Sequence, residues 1–108
     1  MGRVICLGKI AGVTAGTPVQ VSATDRFCES FMVEPWHENT GKSWIGTSST
    51  DFRAGTTDCI GYCPIPADNV NSVWSSGKGS QGAASFNMKD IYVDFDINGE
   101  AVIVTCIG

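Results

Sequence analysis

The side chains of this 108-residue chain best suited to covalent or metal chemistry are five cysteines, Cys6, Cys28, Cys59, Cys63 and Cys106, and a single histidine, His37. A zinc site needs four ligands, usually presented as two close-spaced pairs. Cys28, Cys59, Cys63 and His37 could make up four, but only Cys59 and Cys63 are neighbours in sequence. The expectation is therefore no metal site, with thiols used as small buried hydrophobes. Cys59-Ile-Gly-Tyr-Cys63 has three intervening residues where a thioredoxin-type redox motif has two. An odd number of cysteines leaves at least one thiol free in a monomer, which fits poorly with a secreted disulfide framework. A Cys59–Cys63 or Cys28–Cys59 bridge stays open for a protein that matures outside a cell. Nucleophilic catalysis would need His37 beside a thiol. His37 lies in the turn-like segment Trp36-His37-Glu38-Asn39, and no nucleophile elbow or protease signature surrounds any cysteine. Glu29, Glu34 and Glu38 are strung along one strand and its exit, with nothing to pair them as acid and base. No catalytic residue and no cofactor are expected.

Two short motifs imitate ligand sites. Asp94-Phe-Asp96-Ile-Asn98-Gly99-Glu100 matches the first half of an EF-hand loop, but the twelfth position is Thr105 where a bidentate acid is required, and flanking helices are missing. Alternation accounts for the two aspartates as solvent-facing residues, so no metal is expected here. Gly77-Lys-Gly79-Ser-Gln-Gly82 spells G-x-G-x-x-G, yet the short run Ala83-Ala-Ser-Phe-Asn87 before the next strand leaves no room for the crossover helix of a dinucleotide site. It reads as a loop.

The elements that must position these residues are strands. No window of ten or more residues carries apolar side chains at three- and four-residue spacing, and thirteen glycines punctuate short apolar runs. The strongest local signal is C-terminal, where Asn98-Gly99 separates two β-branched runs and predicts an antiparallel hairpin with a type I′ turn. In that register Phe95 pairs with Val102, Val93 with Val104 and Ile91 with Cys106. Ile91, Val93, Phe95, Val102, Val104 and Cys106 then share an apolar core face, with Tyr92, Asp94, Asp96, Ala101, Ile103 and Thr105 on the other. Further strands are expected at Val4–Leu7, Pro18–Ala23, Phe27–Val33, Ser43–Gly46, Tyr62–Ile65 (an edge, given its prolines) and Asn71–Ser75, with a loop at Ser76–Ser85. Seven or eight strands in one unit imply a single all-β domain spanning residues 1–108, a compact β-sandwich or jelly-roll-like fold.

Charge and composition narrow the function classes. Apolar residues make up 43% of the chain, enough for a core, and the net charge is −4 with basic residues scattered singly. Direct binding of nucleic acid or anionic lipid is not expected. No apolar run approaches the ~20 residues of a membrane span, and the first residues lack the continuous apolar stretch of a secretory signal. The segment 1–15 mixes Val4, Ile5, Leu7 and Ile10 with Gly and basic residues, and is expected to act as an N-terminal arm pairing with a neighbouring chain. Three tryptophans, Trp36, Trp44 and Trp74, admit a sugar-stacking alternative; the competing expectation places Trp44 and Trp74 in the core and Trp36 at one end.

Gly16-Thr17-Pro18-Val19-x-Val21-Ser22, Asn39-Thr40-Gly41-x-x-Trp44-Ile45-Gly46 and Asp90-Ile91-Tyr92-Val93-Asp94 with Gly99 resemble small β-rich virion proteins of tailed bacteriophages, either capsid decoration (cement) or head-fibre proteins. The likeness runs from about Gly16 to Thr105; five cysteines and the Ser76–Ser85 loop depart from the family pattern. It implies a noncatalytic structural protein, made in the host cytoplasm and placed on the outer surface of the capsid. The implied partners are the major capsid protein or other virion proteins and further copies of itself, as a trimer. The alternative function is a carbohydrate-binding β-sandwich module on a phage fibre or spike.

Overall fold

A computed structural model describes residues 4–66, 73–77 and 86–108. The G-x-G-x-x-G match beyond Gly77, most of the Ser76–Ser85 loop and the first half of the strand expected at Asn71–Ser75 lie outside the described residues. Within them the chain is all-β, with strands β1 (Val4–Ala11), β2 (Val19–Gln20), β3 (Phe27–Cys28), β4 (Ser30–Pro35), β5 (Ser43–Gly46), β6 (Cys59–Cys63), β7 (Trp74–Ser75), β8 (Phe86–Asn87), β9 (Tyr92–Phe95) and β10 (Ala101–Ile107). A 3₁₀ turn at Met88–Asp90 is capped by the Asn87 side chain, which accepts from the Lys89 amide. The pairings among these strands are antiparallel. One sheet runs β1-β10-β4-β7, a second β2-β9-β5-β6, and a two-stranded ribbon joins β3 to β8.

The two larger sheets contribute opposite sides of one core in a β-sandwich-like arrangement. Phe31, Val33, Val102, Val104 and Cys106 come from the first, and Ile45, Cys63, Val93 and Phe95 from the second. Each set sits at alternate positions of its strand, as a pleated strand buried on one face requires. Leu7, Ile10, Trp74 and Phe86 pack partly buried around this cluster.

The expected C-terminal hairpin does not form. β9 pairs with β2 and β5, β10 pairs with β1 and β4, and the two consecutive strands lie in different sheets. Ile91, Val93, Phe95, Val102, Val104 and Cys106 are all buried, but they meet across the core and not along a shared ladder. Alternation demands only that each strand hide one face, and an arch between sheets satisfies that demand as well as a hairpin does. The turn agrees with the arch. Gly99 has φ +79, whereas among the described residues none other than glycine has a positive φ, so Asn98 cannot take its place in a type I′ turn.

The N-terminal arm is likewise corrected. β1 belongs to its own domain, pairing with β10 from Val4↔Ile107 to Ala11↔Ala101. A bulge between Cys6 and Gly8, with Gly8 at φ +88, leaves Leu7 outside the ladder. That extra residue switches the parity of the strand, so Ile5 and Leu7 face inward before it and Ile10 after it, while Lys9 stays outside. Two further expectations shift in detail. The strand at Phe27–Val33 breaks at Glu29 into β3 and β4, and the edge strand expected at Tyr62–Ile65 is β6, still at an edge but ending before Pro64.

Close approach confines several glycines, among them Gly12 and Gly61. A side chain at Gly61 would meet the Trp74 indole, and one at Gly12 the ring of Phe95. Gly61→Ala should therefore cost about 1–3 kcal/mol through overpacking. Val104→Ala, by losing two buried methyls and leaving a cavity, should cost about 1–3 kcal/mol. Urea unfolding of both variants against the parent checks the pair.

Candidate functional site

The arch between β9 and β10 gathers most of the chain's polar chemistry. Asn98 accepts from the Ala15 amide at 2.7 Å, and Asp94 from the Gly16 amide at 3.0 Å. Asp96 accepts from the Trp44 indole at 2.9 Å, and its own amide donates to the Lys42 carbonyl at 3.1 Å. Glu100 receives the amides of Thr40 (2.5 Å) and Gly41 (3.0 Å). Beneath them the buried Asn39 side chain donates to the Ala101 carbonyl at 2.7 Å and accepts from the Ala101 amide at 3.2 Å. This side-chain amide does for the start of β10 what a neighbouring strand would do. It also explains why Ala101, expected on the outer face, is buried.

One cation serves three acids here. The Arg53 guanidinium is 3.0 Å from Asp51, 3.7 Å from Asp94 and 3.7 Å from Asp96. Asp94, expected to face solvent, is 0% exposed, and its Oδ2 has no hydrogen-bond partner. Burial pushes its carboxyl above the ordinary range, and this outweighs the amides of Phe95 and Gly16 and the charge of Arg53. Asp51 goes the other way, held low chiefly by the hydrogen bond from Arg53. Among the described residues no group of three or more His, Cys, Asp or Glu side chains could hold a metal ion; the half EF-hand is spent on Arg53, backbone amides and Trp44.

The other chemistry-bearing residues are kept apart. His37 is exposed and lies against Trp36, ring centroids 4.8 Å apart. The Cys63 thiol donates to the Val33 carbonyl and the Cys59 thiol to the Gly61 carbonyl, so neither has His37 as its partner. All five cysteines are free, with Cys28, Cys63 and Cys106 buried. No family model, curated protein or solved structure matches the chain. Its function must therefore be read from its own surface.

That surface has an apolar end opposite the arch. β1 is an edge strand, and its first residue, Val4, is 70% exposed where it pairs with Ile107 at the far end of β10. Phe27 is also exposed, and its backbone lies on the other side of β10, where its carbonyl approaches Gly108 and the Glu29 amide bonds to the Ile107 carbonyl at 2.7 Å. A hollow of about 360 Å³ opens here, lined by Glu29, Ser30, Phe31, Met32, Ser75, Gly77 and Ile107. Of the four residues expected at an interface, only Val4 is on show; Ile5, Leu7 and Ile10 pack against the core. Phe27 was missed because it abuts Cys28 in a run that reads as uniformly buried. Of the tryptophans, Trp74 packs against the core and Trp36 sits at the arch end as expected, whereas Trp44 is not in the core. Trp74 is half-buried against Phe31, Trp36 lies under the Lys9 ammonium at 4.1 Å, and Trp44 stands on an outer face beside Tyr62, centroids 5.3 Å apart.

The arch makes a pH prediction. The folded chain holds the Asp94 proton more tightly than the unfolded chain does. Its contribution is therefore greatest below the usual carboxylate pKa of about 4, and falls as pH rises through the higher folded value. Asp51 has the opposite sign, contributing above about pH 4 and losing that contribution as pH falls through its depressed value. Asp94→Asn keeps an acceptor for the two amides and removes the charge. The Tm of the parent minus that of Asp94→Asn should be larger at pH 4 than at pH 7, whereas an equal difference at the two pH values would refute the buried carboxylate. Arg53→Ala, which strands Asp94 without its cation, should cost about 2–4 kcal/mol at pH 7 in chemical unfolding.

Proposed function

We propose that this chain is a noncatalytic structural protein of a tailed-bacteriophage virion, a capsid decoration (cement) protein that binds the assembled shell from outside and stabilises it. The observation that carries the reading is the edge that β1 forms among the described strands, with exposed Val4 at its start and exposed Phe27 at the same end of the fold, across β10. A strand edge and an apolar patch are what a binding partner needs for strand addition, with backbone hydrogen bonds giving affinity and side-chain pockets giving selectivity. The family resemblance supplies the partner class, the major capsid protein, and a trimer as the arrangement on the shell. Each bound copy shifts the shell equilibrium toward assembly, because disassembly must also break its contacts. The net charge of −4 suits a position outside the shell, away from packaged DNA.

A map of the intact particle by electron microscopy should show this chain in many regularly placed copies, with the β1 end against the shell. Particles stripped of the chain and incubated with Val4→Asp/Phe27→Asp should bind far less of it than of the parent. Both side chains are exposed, so the Tm of the isolated double variant should stay within about 2 °C of the parent. Undiminished binding by that variant, or particles without the chain, would overturn the proposal. The second reading, a carbohydrate-binding module, draws support from exposed Tyr62 beside half-buried Trp44 on an outer face and not from Trp36 or Trp74. Glycan binding lost on Tyr62→Ala would favour it.

A further inference from the structure

At the apolar end of the fold two buried thiols lie on adjoining stretches of chain. Cys28 and Cys106 are each 0% exposed and belong to the same core cluster. The chain around Cys28 runs beside the end of β10: the Glu29 amide bonds to the Ile107 carbonyl at 2.7 Å, and a Cβ built on Gly108 would lie 3.3 Å from the Phe27 carbonyl. The remaining thiols are directed elsewhere. Cys63 donates to the Val33 carbonyl, Cys59 to the Gly61 carbonyl, and Cys6 is exposed on β1.

We propose that Cys28 and Cys106 are a disulfide site, closed when the chain folds in an oxidising medium and tying the β3 corner to the C-terminal strand. The reaction needs a small-molecule disulfide such as oxidised glutathione. The Cys28 thiolate attacks one of its sulfurs and expels a glutathione thiolate. The Cys106 thiolate then attacks Cys28 Sγ in the mixed disulfide and expels the second. Two electrons pass from the protein sulfurs to glutathione, and the two thiol protons end on the two glutathione thiols or in solvent.

Burial, together with the side chain of Cys106, pushes the Cys28 thiol up to about 12. Thiolate is therefore scarce once the core has closed, and exchange in the folded protein is slow. The bond forms during folding, or not readily at all. It would close a loop running from β3 through β10, and long loops confine the unfolded chain most. The site does not depend on the virion reading, since it asks only for an oxidising medium.

The test is refolding of the full chain from the reduced, denatured state, in parallel with oxidised and reduced glutathione or with excess reductant, followed by alkylation and trypsin. Cleavage after Arg26, Lys42, Arg53, Lys78 and Lys89 places Cys28 in residues 27–42, Cys59 and Cys63 together in 54–78, and Cys106 in 90–108. The expected product is a linked pair of peptides 27–42 and 90–108, two fewer alkylated thiols, and a Tm at least about 5 °C above the reduced chain. Cys28→Ser should melt at the same temperature in both buffers. Five alkylated cysteines after oxidative refolding, a dominant bridge through Cys59, Cys63 or Cys6, or an oxidised parent that melts no higher than the reduced one would each overturn the proposal. The peptide map is made on the parent, so the outcome does not depend on the variant folding.

Discussion

The fold depends on the chain crossing from one sheet to the other between Phe95 and Ala101. Packed sheets lie about 10 Å apart, and a crossing that short has no ladder of its own to satisfy its backbone and side chains. The polar residues of this arch supply what is missing. Asn98 and Asp94 take amides from the loop after β1, while Asp96 and Glu100 hold the segment that leads into β5. Asn39 completes the pairing of Ala101 from the same segment. Loops that leave one sheet and enter the other are thus fastened to a single short connection. The face-to-face burial of Val93 and Phe95 against Val102 and Val104 is a consequence, because both strands leave the arch with their register already set.

Two kinds of information were legible in the chain to different degrees. Which residues are buried along β9 and β10 could be read from the alternation, since a period of two fixes a face whichever strand lies alongside. Which strand lies alongside could not. Asn98-Gly99 favours a tight hairpin locally, but that preference is weaker than the gain from placing the apolar faces of β9 and β10 directly against each other. The first half of β1 was legible as the strand expected at Val4–Leu7, but its continuation and its partner β10 were not, for a different reason. Its bulge at Gly8 changes the inward parity halfway along, so Val4-Ile-Cys-Leu-Gly-Lys-Ile-Ala reads as an irregular arm until the extra residue is counted out. The burial of Asp94 was illegible because its cover, Arg53, lies far away in sequence on the loop between β5 and β6.

A buried carboxylate with an unpartnered oxygen is costly unless something compensates it. Here the compensation is distributed. Two amides reach Oδ1, and Arg53 approaches Oδ2 while also serving Asp51 and Asp96. Arg53 suits this position because its planar fork can face several acceptors at once, which the point charge of a lysine would not do as well. The resemblance between the Asp94–Glu100 stretch and a calcium loop has its origin in the same chemistry. Acidic side chains and a glycine turn are useful wherever a tight connection must hold cationic or N–H donors, and in this chain the donors are internal.

The molecule is consequently unequal at its two ends. At the arch, acids and amides are engaged with one another, and exposed Val13 and Ile97 stand among them as single residues. At the other end of β10 the polar latch is replaced by Val4, Phe27 and the hollow beside Met32 and Ile107, next to a sheet edge eight residues long. An exposed edge strand is a liability that folds usually blunt with charge or distortion. β1 carries the distortion at Gly8, but its one charged residue, Lys9, is drawn over the Trp36 ring. The stretch before the bulge, Val4 to Leu7, thus keeps an edge without a charged side chain. A partner strand would meet the least electrostatic resistance there, beside the apolar end and away from the carboxylates that hold the fold together.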